Sequence, residues 1–231
     1  MKEKILEDVQ KNGYSLIPGF FSQVEVNSLK EKLLHLYSQC KTGDQIDLPG
    51  LITPDSYSIG KSMRVYPSLY PCFSEFQRFR DPELVELSEE FFGGCSQKGL
   101  QVFSSYEYLT EQEAKHLPRN SYMHIDPYHA LKFSTYLCDV TAENGALQVI
   151  PGTVCIGKRI RDENTVESLL TSDMYTFEKS KYYSSELESK RMFIEAKAGD
   201  LLVLDTDIIH CGGLLQKPGL ERMTVIYHNR K

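Results

Sequence analysis

The spacing of apolar and polar positions changes character near residue 100. Before that point the repeat is helical. Residues 2–11 mix charges with Ile5, Leu6 and Val9 and stop at Asn12-Gly13, which predicts a short helix. Ser22 is a good N-cap for a longer helix, in which Val24, Val26, Leu29, Leu33, Leu34 and Leu36 recur at roughly helical spacing. Asp81-Pro82 reads as a cap followed by proline at the first helical position. It opens a helix over 83–92 that ends at Gly93-Gly94.

Beyond residue 100 the pattern is that of strands. Residues 101–109, 131–140, 146–150, 200–209 and 223–227 are rich in aromatic, β-branched and other apolar residues. Asn144-Gly145, Pro151-Gly152, Gly199-Asp200, Gly212-Gly213 and Pro218-Gly219 separate them with turn chemistry. Short strands punctuated in this way predict a sandwich or jelly roll, so the fold class is mainly β with flanking helices. Residues 157–197 break the rhythm with Lys158, Arg159, Arg161, several glutamates and Tyr182-Tyr183. A long polar insertion between core strands is expected to be a lid or binding loop rather than a plain connector.

At 231 residues the expectation is a single domain over 1–231, with a helical part at 1–100, a β core at 101–231 and the insertion at 157–197. Apolar content of 41% against 25% charged residues is the ordinary globular balance, so disorder is not expected. The net charge of -6, from 26 basic and 32 acidic residues, lacks the footprint of a nucleic-acid binder. The first ten residues contain no continuous apolar run, so neither a secretory leader nor a membrane span is expected there. Cysteines at 40, 72, 95, 138, 155 and 211 show no C-x-x-C spacing and are expected to be free thiols in a cytoplasmic protein.

The chemistry sits in the second half. His124-Ile125-Asp126 precedes His210 by 84 positions from Asp126, and Arg222 follows twelve positions after His210. Two imidazoles and one carboxylate suit a mononuclear non-haem Fe(II), with the opposite face open to a cosubstrate and dioxygen. An H-x-D triplet alone is a weak signal, since a surface His-Asp pair beside a turn has the same spelling. Extended backbone would project both side chains to one face, and Pro127 biases Asp126 toward that backbone. His210 closes the apolar run that begins at Leu201, which puts it at the rim of the core. The competing set is His124, Asp126 and His129, a local H-x-D-x-x-H that could hold Zn(II). Pro127-Tyr128 is expected to carry His129 off the shared face. His228 could support the site or simply be packed, and His35 and His116 read as surface residues. Arg222 can hold a carboxylate through two parallel hydrogen bonds, or else cover a sheet edge beside Glu221.

These residues resemble the phytanoyl-CoA dioxygenase family of Fe(II)- and 2-oxoglutarate-dependent oxygenases. The similarity runs over roughly 12–230 and is strongest from 121 onward. Its pieces are Gly13 to Phe21, His124-Ile-Asp126, Cys138 to Thr153, and Ala198 to Asp205 followed by His210 and Arg222. The resemblance implies a double-stranded β-helix (a cupin-like jelly roll), with His124, Asp126 and His210 as catalytic iron ligands. It implies that Arg222 holds the far carboxylate of 2-oxoglutarate, with Tyr106 and Ser134 as candidate cosubstrate-pocket residues. Ser134 stands where many relatives carry tryptophan or another larger residue, and Gly212 where some carry a hydroxyl. The implied cofactors are Fe(II), 2-oxoglutarate and dioxygen, and the implied products include succinate and carbon dioxide. Asp126 favours hydroxylation of an unactivated C–H, because related halogenases lack this carboxylate.

The expected partner is a small molecule, a metabolite or acyl conjugate, with no nucleic acid and no membrane. Residues 62–71, with Arg64 and two tyrosines, and the basic start of the 157–197 segment are candidate pocket walls. The alternative is the same shell serving as a metal-dependent isomerase or hydrolase, or as a binding protein without catalysis. Arg222 separates the two readings, since an isomerase needs no deep cationic anchor for a dicarboxylate.

Overall fold

The N-terminal helices form where caps and apolar faces coincide. Helix α1 (Lys2–Asn12) buries Ile5 and Val9, one turn apart. Helix α2 (Gln23–Gln39) opens on a reciprocal cap: Ser22 N donates to the Glu25 carboxylate at 2.8 Å and Glu25 N donates to Ser22 Oγ at 3.3 Å. Its buried stripe is Val26, Leu29 and Leu33. Val24, expected on that stripe, is 79% exposed, because a position two before Val26 lies on the opposite side of the helix. Helix α3 (Pro82–Phe92) starts as expected, with the Asp81 carboxylate accepting from Glu83 N at 3.0 Å, and ends at Gly93 with φ of 67°.

This computed structural model describes residues 2–39, 51–52, 62–65, 73–94, 97–108, 122–171, 176–216 and 220–230, with 36–39, 51–52, 62–65, 97–108 and 170–171 described as backbone. His116, Cys40, Cys72, Cys95, Pro218-Gly219 and residues 66–71 therefore lie outside the described residues, and Leu36, Arg64 and Tyr106 are placed by backbone alone. The three described cysteines, Cys138, Cys155 and Cys211, form no disulfide. No described helix is long and apolar enough to cross a membrane.

The strands are β1 (Tyr14–Ile17), β2 (Leu51–Ile52), β3 (Ser62–Val65), β4 (Gln97–Tyr108), β5 (Ala130–Tyr136), β6 (Leu147–Val149), β7 (Met192–Ile194), β8 (Leu201–Asp205), β9 (His210–Cys211) and β10 (Glu221–Arg230). They form two antiparallel sheets, a larger one in the order β1-β8-β5-β10-β4-β3-β2 and a smaller one in the order β7-β6-β9. Strand alternation divides the larger sheet cleanly. Leu131, Phe133, Leu201, Val203, Met223, Val225 and Tyr227 pack against the three helices. Leu202 and Leu204 on the other face meet Val149 and Ile194 of the smaller sheet. The fold is thus a mixture of helix and antiparallel sheet, with helices on one face and a second sheet on the other.

Three expectations change. The run 200–209 is not one strand. Asp205 ends β8 by folding a turn on itself, accepting from Asp207 N at 2.9 Å through its carboxylate and from Ile208 N at 3.0 Å through its carbonyl. His210 consequently starts a strand of the opposite sheet. The 131–140 run stops at Tyr136, because Leu137 N then bonds Met223 O and Val140 pairs with Ala196. The 157–197 segment carries the end of α4 (Val154–Asp162), α5 (Val166–Thr171) and α6 (Ser185–Glu188), and near its end it contributes β7, an integral strand of the smaller sheet.

Gly157 lets α4 approach the β8–β9 turn: a Cβ there would lie 1.8 Å from Asp207 O and 2.9 Å from Ile125 Cγ2. Alanine in a helix interior gains only about 0.8–1.0 kcal/mol over glycine from propensity. Overpacking costs about 1–3 kcal/mol, and the obstruction here is backbone. Gly157→Ala is expected to lower the urea midpoint at unchanged slope; a raised midpoint would contradict the packing.

Candidate metal centre

His124 and His210 face one another across a single antiparallel bridge. His124 N donates to His210 O at 2.8 Å and His210 N donates back to His124 O at 2.9 Å. The two rings sit 4.7 Å apart between centroids. His124 Nδ1 lies 2.6 Å from Tyr122 O, and His210 Nδ1 lies 2.8 Å from Ile208 O. A carbonyl can only accept, so each Nδ1 carries the hydrogen and, in the neutral ring, each Nε2 keeps its lone pair. Both imidazoles are held by the same device, a carbonyl two residues upstream.

Asp126 completes the group. Its Oδ1 is 3.9 Å from His124 Nε2 and 3.6 Å from His210 Nε2, and one ligand atom from each of the three lies within 4.8 Å of the others. Two protein ligands of one ion at ~2.0–2.2 Å can stand up to about 4 Å apart, so these pair spacings fit a shared ion. Lys132, on the β5 face that looks toward the smaller sheet, places Nζ 2.5 Å from Asp126 Oδ2. The carboxylate thus gives one oxygen to the imidazole pair and the other to an ammonium.

The electrostatics suit cation binding. Burial, reinforced by the charge of His210, pushes His124 down to about 3, so the ring is neutral at physiological pH. Burial alone would raise the Asp126 carboxyl. Lys132, then His210 and His124, outweigh it and hold the group well below the usual carboxylate range. A neutral nitrogen and an ionised oxygen are the forms that metals take.

His129 does not join this group. Its Nε2 turns to Asp205 Oδ1 at 3.1 Å and Asp207 Oδ2 at 3.6 Å, and its ring packs on Phe91 and Phe92. His129, Asp205 and Asp207 form a second group with ligand atoms close together, but Arg161 already neutralises Asp207 through Nε at 2.7 Å and a shorter Nη2 contact. His35 is exposed on α2. His228 is half-buried and registers opposite Lys132.

Arg222 is buried, on the same face of β10 as Thr224. It reaches across to the segments that flank β6 and β9, where Nη1 donates to Gly213 O at 2.8 Å and to Gly145 O. β10 pairs with β4 and β5 and not with β9, so Arg222 approaches the His210 segment from the facing sheet, rather than along the next strand as antiparallel succession would suggest. Gly213 is three residues past His210, which ties the guanidinium to the ligand strand. Ser134 is buried two residues along β5 from Lys132, paired with Ile226 and Leu202. Tyr106 registers opposite Met223, whereas Ser105 and Glu107 are the β4 residues paired with Thr224 and Arg222. At the basic start of the 157–197 segment Lys158 pairs with Asp162 at 2.8 Å, Arg159 is exposed and Arg161 is turned inward.

Sequence reasoning missed Lys132 and the Arg161–Asp207 pair. A lone lysine inside the aromatic run Leu131-Lys-Phe133 was the available signal for the first.

Residues 72–214, more than half the chain, match the family described as phytanoyl-CoA dioxygenase (PhyH). The chain belongs to the phytanoyl-CoA dioxygenase family. That match contains His124, Asp126 and His210 and stops short of Arg222. No curated protein matches the chain in sequence. Among solved structures, the fold of this family member is similar to that of the epimerase SnoN in complex with Fe3+, alpha-ketoglutarate and nogalamycin RO, at TM-score 0.66 and 16% identity, covering 100% of this chain and 83% of that one. It is similar to EctD from S. alaskensis with bound Fe, at 0.65 and 18%, covering 98% and 75%. It is also similar to HygX from Streptomyces hygroscopicus with nickel and 2-oxoglutarate bound, at 0.62 and 17%, covering 100% and 87%.

Proposed function

We propose that this protein is an Fe(II)- and 2-oxoglutarate-dependent dioxygenase acting on a small molecule, with His124, Asp126 and His210 as its iron ligands and Arg222 as the anchor for 2-oxoglutarate. The observation that carries the reading is the convergence of two Nε2 atoms and one carboxylate oxygen, each imidazole fixed by its Nδ1. Family membership and solved relatives holding Fe3+ or nickel with the oxo acid support the choice of cofactors. The two facing sheets are read as a double-stranded β-helix within one domain over 1–231, with 157–197 covering one end.

Iron and 2-oxoglutarate, when bound, supply the oxygen-activating chemistry and leave succinate and carbon dioxide. The chain's own work is to hold and to orient. Carbonyls of Tyr122 and Ile208 fix the ring tautomers, and Lys132 keeps Asp126 to a single inward oxygen. Carbonyls of Gly145 and Gly213 aim Arg222. Ser134 is assigned to the pocket from its buried place beside Lys132, whereas Tyr106 takes the register position of Met223, on the helix-packed side of the sheet, and is not assigned to it.

The outcome proposed is hydroxylation, because Asp126 fills the ligand position that halogenases leave open. A second reading is favoured by one relative: SnoN is an epimerase, so hydrogen removal without oxygen insertion is the competing outcome on the same site. The deciding experiment adds 2-oxoglutarate to the anaerobic Fe(II) protein and looks for the visible charge-transfer band of the chelate, then screens metabolite pools for succinate release. A wild-type protein that gives no band would end the proposal.

Lys132→Met is expected to move the acid limit of metal binding. Lys132 is the strongest of the influences lowering Asp126, so its loss lets the carboxyl protonate at higher pH. Mn(II) affinity measured as pH falls should therefore decline earlier than in wild type; a coincident or later decline would contradict this role.

A further inference from the structure

We infer that α4 is a strut that sets the distance between the two ligand-bearing segments, with Arg161 as its positioning residue. The inference rests on the metal-centre reading above.

Three residues on one stripe of the helix, Thr153, Gly157 and Arg161, spaced four apart, each touch a ligand segment. At the N-terminal end, buried Thr153 Oγ1 accepts from Ile209 N at 3.0 Å and donates to Ile150 O at 2.7 Å. Ile209 immediately precedes His210. In the middle, Gly157 lets the helix lie directly against Asp207 O and Ile125, the residue between His124 and Asp126. At the C-terminal end, Arg161 Nη1 donates to Asp126 O at 2.8 Å, while Nε and Nη2 hold Asp207 Oδ1. One guanidinium therefore bridges the backbone of the carboxylate ligand to the turn that leads into His210.

The segments need such a brace. Residues 122–129 are not part of either sheet, and His124 joins His210 through one isolated bridge. Further ties run to the same turn, Asp126 N to Thr206 O at 3.3 Å, Ala130 N to Thr206 Oγ1 at 2.7 Å and Thr206 Oγ1 to Tyr128 O at 3.1 Å, while Phe177 N donates to Met123 O at 2.6 Å and Lys132 holds Asp126. His129 holds Asp205 and Asp207 from the other side. Arg161 is the contact that adds a flat, multidentate donor to this lattice, and a lysine cannot span both acceptors.

The test titrates Mn(II), a redox-silent probe, into the chelator-stripped full chain by calorimetry. It also records the charge-transfer band of the anaerobic Fe(II)–2-oxoglutarate protein. Arg161→Ala is expected to weaken Mn(II) binding by about 10–100-fold, the usual effect of losing an outer support of a metal site, and to shift the band. Arg161→Lys keeps a charge against Asp207 but not the reach to Asp126 O, so it should stay several-fold weaker than wild type. Lys158→Ala, on the exposed side of the same helix, should leave both readings unchanged. Should Arg161→Ala not fold, Arg161→Lys decides alone. Wild-type affinity and band in Arg161→Lys would overturn the assignment and leave the metal centre standing. Failure of wild type to bind Mn(II) more tightly than His210→Ala would remove the metal centre itself, and the strut with it.

Discussion

Asp126→Ala and His210→Ala are each expected to abolish succinate formation and to lower Mn(II) affinity by more than the ~10–100-fold that removal of an outer support causes. The two variants fail for different reasons. His210→Ala removes one of two neutral nitrogen donors and leaves the carboxylate, so weak binding through the remaining pair is the most it can retain. Asp126→Ala removes the only anion among the three ligands and also strands the Lys132 ammonium, a side chain only 14% exposed, beside the imidazoles. The site then carries net positive charge and repels any cation. His129→Ala is the decisive companion. The H-x-D-x-x-H alternative predicts that His129 is required and His210 dispensable, whereas the His129 ring is turned to Asp205 and packed on Phe91 and Phe92. Loss of Mn(II) binding in His129→Ala with retention in His210→Ala would replace this centre with the local one.

How far the fold could be read from sequence depended on whether the signal was local. Ser22 with Glu25, Asp81 with Pro82, and Gly93 are contacts within a few residues, and the helices they delimit are where the pattern put them. The run 201–209 misled because apolar periodicity reports burial and not direction. Leu202, Leu204, Ile208 and Ile209 are all buried, yet the Asp205 side chain turns the chain between them and hands His210 to the other sheet. The candidate metal triad was legible as residue types in order, whereas its geometry comes from a bridge 86 positions wide (His124 to His210), which no spacing rule contains. Lys132 and Arg161 were illegible for a related reason: one was hidden in a strand and one in a charged helix, and only tertiary contact distinguishes Arg161 from exposed Lys158 and Arg159.

Arg222→Ala is expected to raise the KM for 2-oxoglutarate steeply while leaving Mn(II) affinity near wild type. Removing one partner of a buried, hydrogen-bonded charge pair costs about 2–5 kcal/mol, which corresponds to roughly 30-fold to several-thousand-fold. Arg222→Lys keeps the charge but offers a compact ammonium where a planar fork is required, so it should recover only part of the loss. The cradle matters as much as the charge. Gly145 holds φ of 90°, and a Cβ there would lie 2.8 Å from Arg222 Nη1 and 3.1 Å from Gly213 O. Gly145→Ala should therefore disturb the guanidinium without touching its chemistry, raising the 2-oxoglutarate KM less than Arg222→Ala does. It should also lower the melting temperature, through left-handed strain of about 1–2 kcal/mol. Titrating the oxo acid into the Mn(II) protein separates cosubstrate capture from metal capture. Arg222→Ala that binds 2-oxoglutarate like wild type would sink the anchor and reopen the non-oxygenase reading. Normal metal binding with a lost oxo acid would instead tie the dicarboxylate to β10, the strand of the facing sheet, and make the site a joint product of both sheets.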